Sequence, residues 1–237
     1  MKTLVLRRNR KKQQASSTRS LITKVDPKSP VSEQYRTIRT NLQFASVDKE
    51  LKSIMVTSSN PSEGKSTTIA NLAVVLAQQG NSVLLIDADM RKPSVHYTFR
   101  CPNTRGLTSV LTKQSTLEDA VYASDVENLH LLTSGPIPPN PSELLGSKAM
   151  EYLLNSTNVP YDVILVDTPP ILAVTDAQVL ANLCDGVILI VSSGKTEVDA
   201  AIKAKDLLEK SSAKILGAVL NEKEMNQSNY YYYYGKE

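Results

Sequence analysis

The sequence predicts an α/β fold, a mostly parallel sheet with helices on both faces, and three observations carry that prediction. From about residue 30 onward, short apolar runs alternate with helical stretches, which is the pattern of βαβ units. Most of the runs are apolar throughout, as strands covered on both faces require. The chain has 237 residues, enough for one such domain with a full core and tails. Taken in order, strands are expected over 53–57, 83–87, 129–133, 163–167, 187–191 and 215–220, and helices over 32–46, 65–79, 142–154, 176–183 and 197–210. The stretch Gly135-Pro136-Ile137-Pro138-Pro139-Asn140-Pro141 is too proline-dense for a helix or an inner strand and reads as a stiff loop. There is no internal repeat.

Composition narrows the function. The longest uninterrupted apolar stretch, residues 72–77, is far below the roughly 18 residues that a membrane-spanning helix needs. Residues 1–10 carry arginines without the apolar region of a signal peptide, so a cytoplasmic protein is expected. Cys101 and Cys184 lack metal-ligand or redox spacing and read as reduced, inert thiols. The net charge is +3, yet Lys2, Arg7, Arg8, Arg10, Lys11, Lys12, Arg19 and Lys24 all precede the first acid, Asp26, leaving the remainder net acidic. Residues 1–28 are therefore expected to be a basic flexible segment, 29–221 the folded domain, and 222–237 a polar, tyrosine-rich flexible tail. The basic segment suits anionic lipid or nucleic acid, or serves as a solubilising arm with no partner; nucleic acid is not expected as the primary ligand.

The chemistry concentrates at three strand ends. The strand at 53–57 runs into a loop, and Lys65-Ser66-Thr67-Thr68 opens a helix. This is the context of a phosphate loop and of a P-loop NTPase-type sheet. Ser59, Asn60, Pro61, Ser62, Glu63 and Gly64 would wrap the phosphates, with backbone N–H groups from all of them but Pro61. Lys65 would reach the β- and γ-oxygens, and the Ser66 hydroxyl would ligate Mg²⁺, with Thr67 beside it. Ser59 stands where the first glycine of such a loop is usual. A second strand delivers Asp87 and Asp89, two residues apart and facing one side if the strand continues through them. A third delivers Asp167, followed by Thr168-Pro169-Pro170. Ligands of open parallel sheets bind at the carboxyl ends of the strands, so these carboxylates and the loop should share one edge. One strand-end aspartate is often a cap or turn former, but three beside a phosphate loop point to a site.

These three segments, residues 58–67, Asp87-Ala88-Asp89-Met90-Arg91 and residues 164–169, resemble the Walker A, Walker A-prime and Walker B motifs of the bacterial tyrosine kinases (BY-kinases). Glu33-Gln34-Tyr35-Arg36-Thr37-Ile38-Arg39 looks like that family's oligomerisation motif, residues 138–145 like its proline-rich segment, and Tyr230, Tyr231, Tyr232, Tyr233 and Tyr234 complete the set. The resemblance spans about residues 29–237, with the features in the expected order, although many relatives carry glycine in place of Ser62. It implies the cytoplasmic kinase subunit of a system regulating capsule or exopolysaccharide synthesis, using ATP and Mg²⁺. Lys65 and Ser66 would bind phosphates and metal, Asp89 and Asp167 would hold the metal directly or through water, and Asp87 would act as base toward the acceptor tyrosine. The roles of Asp87 and Asp89 are exchangeable at this point, and Arg91 either bridges to phosphate or braces a carboxylate.

The resemblance further implies a homo-oligomer, a ring, with Glu33 of one subunit offered to arginines such as Arg36 and Arg39 of the next. It also implies a membrane activator protein that recruits the kinase to the inner face of the membrane, other protein substrates on tyrosine, and a cognate phosphatase. The tyrosine cluster is the expected autophosphorylation site. A tyrosine run in a charged, asparagine-containing tail cannot form a core. About ten residues beyond Leu220 span at most about 33–36 Å, enough to enter the chain's own site or a neighbour's. Asn221 either reads adenine or forms a turn. The alternative is a partition or division-site ATPase, a nucleotide-dependent dimer switch of the same fold. Its signature lysine, five residues before the loop lysine, is here Asn60.

Overall fold

The computed structural model describes residues 21–45, 51–155, 159–211 and 214–224. Seven strands form one sheet: β1 (Ser53–Ser58), β2 (Val83–Asp87), β3 (Tyr122–Ala123), β4 (Leu129–Leu132), β5 (Val163–Asp167), β6 (Gly186–Ser192) and β7 (Lys214–Asn221). Their spatial order is β3-β4-β2-β5-β1-β6-β7. All neighbours run parallel except β3, which pairs antiparallel with β4. The ten helices of the described residues are α1 (Ile22–Val25), α2 (Pro30–Ala45), α3 (Lys65–Ala77), α4 (Val95–Phe99), α5 (Leu107–Leu111), α6 (Leu117–Ala120), α7 (Pro141–Leu145), α8 (Lys148–Asn155), α9 (Asp176–Ala181) and α10 (Val198–Glu209).

Apolar side chains cover both faces of the sheet. On one face Tyr35 and Leu42 of α2 pack with the α3 side chains and with Val56, Leu85, Leu165 and Ile190 of the sheet. On the other, Leu107, Leu145, Met150, Leu180 and Leu208 pack against Met55, Leu84, Ile86, Ile164 and Val166. Alternate residues of β1, β2 and β5 thus enter opposite cores, which is why these segments read as unbroken apolar runs. All six expected strands are present, with ends shifted by at most one residue.

Four expectations need correction. The folded part begins before residue 29, because α1 packs on the chain: Thr23 is 0 % exposed, and its N–H and hydroxyl donate to Asn71 Oδ1 at 3.1 and 2.9 Å. The polar side chain of Thr23 is satisfied inside the fold, which a solvated arm would not require; residues 1–20 lie outside the described residues. The single helix expected over 142–154 is divided at Gly146 and Ser147 into α7 and α8. An added Cβ at Gly146 would lie 3.2 Å from Val179 Cγ1, so the chain turns where α9 approaches closely. The two-sided burial expected of most strands does not extend to β7, which is an exposed edge with Leu220 53 % exposed. The last correction concerns Asp89, which lies beyond the end of β2.

Candidate active site

The phosphate loop occupies residues 59–64 between β1 and α3. Ser62 and Gly64 have left-handed backbones, at φ 65° and 87°. At Gly64 the requirement is steric as well as conformational, because a Cβ there would meet Asn221 Nδ2 at 2.0 Å. Ser59, in the position of the usual first glycine, is fully buried, and Asn60, Pro61 and Ser62 are exposed. Lys65, Ser66 and Thr67 form the first turn of α3, where unpaired N–H groups and the helix dipole favour an anion.

The three aspartates converge as expected, by different local means. Asp87 and Asp167 are register partners at the ends of β2 and β5. Asp89 is placed by the loop after β2, its Oδ1 accepting the Lys92 N–H at 3.0 Å. Lys65 Nζ stands among them, 3.0 Å from Asp89 Oδ2, 3.8 Å from Asp167 Oδ1 and 3.3 Å from the Ser66 hydroxyl. Burial favours the neutral amine, but the charges of Asp167, Asp89 and Asp87 outweigh it and hold the Lys65 pKa above its ordinary value.

Asp87 is 0 % exposed. Its Oδ2 accepts the N–H groups of Ser94 and Val95 at 2.7 and 2.9 Å, which fixes the carboxyl plane and caps α4. Its Oδ1 is buried with no hydrogen-bond partner among the described residues. Burial first and the Asp167 charge second push the carboxyl up to about 7, against the lowering effect of those two bonds. One oxygen is therefore anchored, while the other can take a proton near neutral pH. This asymmetry separates Asp87 from Asp89, whose two oxygens are both engaged.

Arg91 braces a carboxylate. Its Nε and Nη2 reach Asp176 Oδ2 and Oδ1 at 2.9 and 3.0 Å, and Ser142 donates to the same Oδ1 at 2.5 Å. Burial would raise the Asp176 carboxyl, but Arg91 and Ser142 outweigh it and hold the pKa below the ordinary value. The loop after β2 is thus tied to α7 and α9. No sequence signal marked Asp176, which reads as an ordinary first-turn acid of a helix.

Asn221 is at the end of β7, and its Nδ2 donates to the Glu63 carbonyl at 3.0 Å, directly over Gly64. Glu33 and Arg36 pair within one chain, Arg36 also donates to the Pro27 carbonyl at 2.7 Å, and Arg39 donates to the Val75 carbonyl at 3.1 Å. Tyr230, Tyr231, Tyr232, Tyr233 and Tyr234 lie outside the described residues. Among the described residues no group of three or more His, Cys, Asp or Glu is disposed to hold a metal ion. Mg²⁺ bound with a nucleotide requires only one or two protein carboxylates, since phosphates and water complete its shell. The Ser66 hydroxyl and the carboxylates of Asp89 and Asp167, gathered around Lys65, meet that smaller requirement.

Comparison with known proteins identifies the family. The AAA domain family matches residues 51–211. The tyrosine-protein kinase YwqD of Bacillus subtilis is 56 % identical over 98 % of this chain and 97 % of its own length. The putative tyrosine-protein kinase CapB of Staphylococcus aureus is 45 % identical over 89 % and 93 %. The kinase domain of the Escherichia coli tyrosine kinase ETK superposes with a TM-score of 0.84 at 33 % identity, covering 88 % of this chain and 82 % of that one. The cell-division ATPase MinD of Pyrococcus furiosus, at 24 % identity and a TM-score of 0.63, shares the fold alone. The chain belongs to the bacterial tyrosine-protein kinases.

Proposed function

We propose that this kinase transfers the γ-phosphoryl group of Mg-ATP to tyrosine, and that the acceptors include Tyr230–Tyr234 of a neighbouring subunit. The observation that carries the reading is Asp87, whose buried Oδ1 is free to accept a proton while its Oδ2 is anchored. A tyrosine hydroxyl, with a pKa near about 10, is a poor nucleophile until its proton has a destination. The phenolic oxygen bonds to the γ-phosphorus, the bond to the β–γ bridging oxygen breaks, ADP leaves, and the phenolic proton passes to Asp87 Oδ1. Lys65 and the N–H groups of residues 59–66 other than Pro61 hold the phosphates and stabilise the charge that moves onto the leaving oxygen. Ser66, Asp89 and Asp167 would hold Mg²⁺, which neutralises phosphate charge.

Because β7 runs parallel to β6, Asn221 ends on the same edge as the phosphate loop, and the tail starts beside the site. A ring would keep a neighbour's tail at high effective concentration. In that ring Glu33, Arg36 and Arg39 would exchange their contacts within the chain for contacts between subunits. A membrane activator, a phosphatase, further tyrosine substrates, action at the inner face of the membrane and control of exopolysaccharide or capsule synthesis complete the reading. Intact mass after incubation with Mg-ATP tests it: phosphates mapping to the tail are expected, and an unchanged mass would overturn transfer to that tail. Mixing a Lys65→Met chain that keeps its tyrosines with an active chain truncated after Asn229 tests the geometry. An unlabelled Lys65→Met tail would exclude transfer between subunits.

A further inference from the structure

A carboxylate is an unexpected occupant of a loop that receives a polyphosphate, since it repels the ligand its neighbours attract. Glu63 is nevertheless 4 % exposed. Its Oε1 accepts the Thr196 hydroxyl at 2.7 Å and lies 3.5 Å from Asn60 Nδ2. The Thr196 oxygen in turn accepts the Ser192 N–H at 2.8 Å, which leaves its single proton for Glu63. The main chain of Glu63 is gripped as well, by Asn221 Nδ2 on its carbonyl, while the Asn221 carbonyl accepts the Ser193 N–H at 2.8 Å. One loop residue is therefore held from the β6–α10 connection and from the end of β7.

The backbone explains why such a grip is needed. Glu63 sits between two left-handed residues, Ser62 at φ 65° and Gly64 at φ 87°. Glycine adopts this conformation freely, but serine does so at an energetic penalty and only when its surroundings enforce it. Ser62 is exposed and, among the described residues, makes no hydrogen bond that would enforce its own backbone. The adjacent residue with enforcing contacts is Glu63.

We propose that Glu63 is a positioning residue for nucleotide binding: its bond to Thr196 holds the Ser62–Gly64 backbone in the phosphate-binding shape before the nucleotide arrives. The inference rests on the nucleotide-binding reading of the site and assigns the Glu63 side chain no contact with the ligand. A loop already shaped in this way is not ordered at the expense of binding, so the bond should appear in affinity.

The test is titration of the full chain with a fluorescent ADP analogue and Mg²⁺. Glu63→Ala is expected to bind about tenfold or more weakly, the effect of losing one hydrogen bond to a charged group, whereas Glu63→Gln, whose carboxamide oxygen still accepts from Thr196, stays within about threefold of the unaltered chain. Thr196→Val removes the same bond from the other side and should match Glu63→Ala, with the double variant no worse than either single one. The decisive arm is Ser62→Gly in the Glu63→Ala background, which should recover most of the lost affinity by removing the strain that Glu63 contains. Failure of Ser62→Gly to restore binding, or Glu63→Ala binding as tightly as the unaltered chain, overturns the proposal alone. If Glu63→Ala does not fold, Thr196→Val binding with unchanged affinity overturns it equally. An unaltered chain that binds no nucleotide overturns the site reading and this inference together.

Discussion

Replacing Asp87 by asparagine should make the protein more stable, and increasingly so as pH rises. The side chain is 0 % exposed, and its carboxyl is pushed from an ordinary 3.8 to about 7. Between those values the folded chain holds a proton that the unfolded chain has released, so stability falls with rising pH across that window and is level above it. At 1.36 kcal/mol per unit, the whole gap is about 4 kcal/mol, of which about 3 kcal/mol lies between pH 5 and pH 8. Asparagine does not titrate, and its oxygen can still accept the Ser94 and Val95 N–H groups. Groups remote from the site titrate alike in both proteins, so the stability difference reports this carboxyl together with the neighbours its charge acts on, Asp167 and Lys65. Urea unfolding of both proteins without nucleotide, at about pH 5 and about pH 8, should show Asp87→Asn gaining about 3 kcal/mol on the unaltered chain between the two conditions. The same variant should lose phosphoryl transfer while retaining nucleotide binding. A stability difference that stays constant within about 0.5 kcal/mol would refute the buried, proton-holding carboxyl and remove its claim to be the base.

Lys65→Met should abolish transfer and lower ligand-free stability by about 1–3 kcal/mol, because the buried carboxylates of Asp89 and Asp167 are then left without their cation; transfer to tyrosine and urea unfolding report the two effects. Gly64→Ala should prevent nucleotide binding altogether, since the new Cβ would lie 2.0 Å from Asn221 Nδ2 on a left-handed backbone, and titration with the ADP analogue reads this directly. Truncation before residue 29 should destabilise the domain by about 1–3 kcal/mol, because it strips the Thr23 bonds from Asn71 inside the fold, whereas a chain beginning at residue 21 should melt as the full chain does.

Chemistry that requires particular residue types at fixed spacing is legible in the sequence itself. Lys65, Ser66, Asp87, Asp89 and Asp167 come from three segments, each a short apolar run ending in polar groups, and the parallel sheet gathers such ends on one edge. The short elements α1, α4, α5 and α6 span four or five residues each, too few for a helical period to register. β3 has two residues, and its pairing with β4 comes from tertiary structure rather than pattern. The exposure of β7 has no mark in its mostly apolar sequence, because its place at the end of the sheet order is what leaves it uncovered.

The braces of the site are not legible in this way, for a physical reason. Asp176 is 85 residues from the Arg91 it pairs with, and Thr196 is 133 residues from Glu63. A supporting bond needs a donor and an acceptor that the fold brings together, and many residue types from many positions can supply it, so no spacing betrays it. The residues that touch a phosphate have no such freedom, because the triphosphate dictates their charge and the loop dictates their separation. The same contrast bears on the two aspartates that sequence does not tell apart. Asp87 and Asp89 are equivalent as letters, but α4 supplies two N–H groups to one and Lys65 with Lys92 engages both oxygens of the other. A base needs an oxygen with nothing else to hold, and of the two residues only Asp87 keeps one.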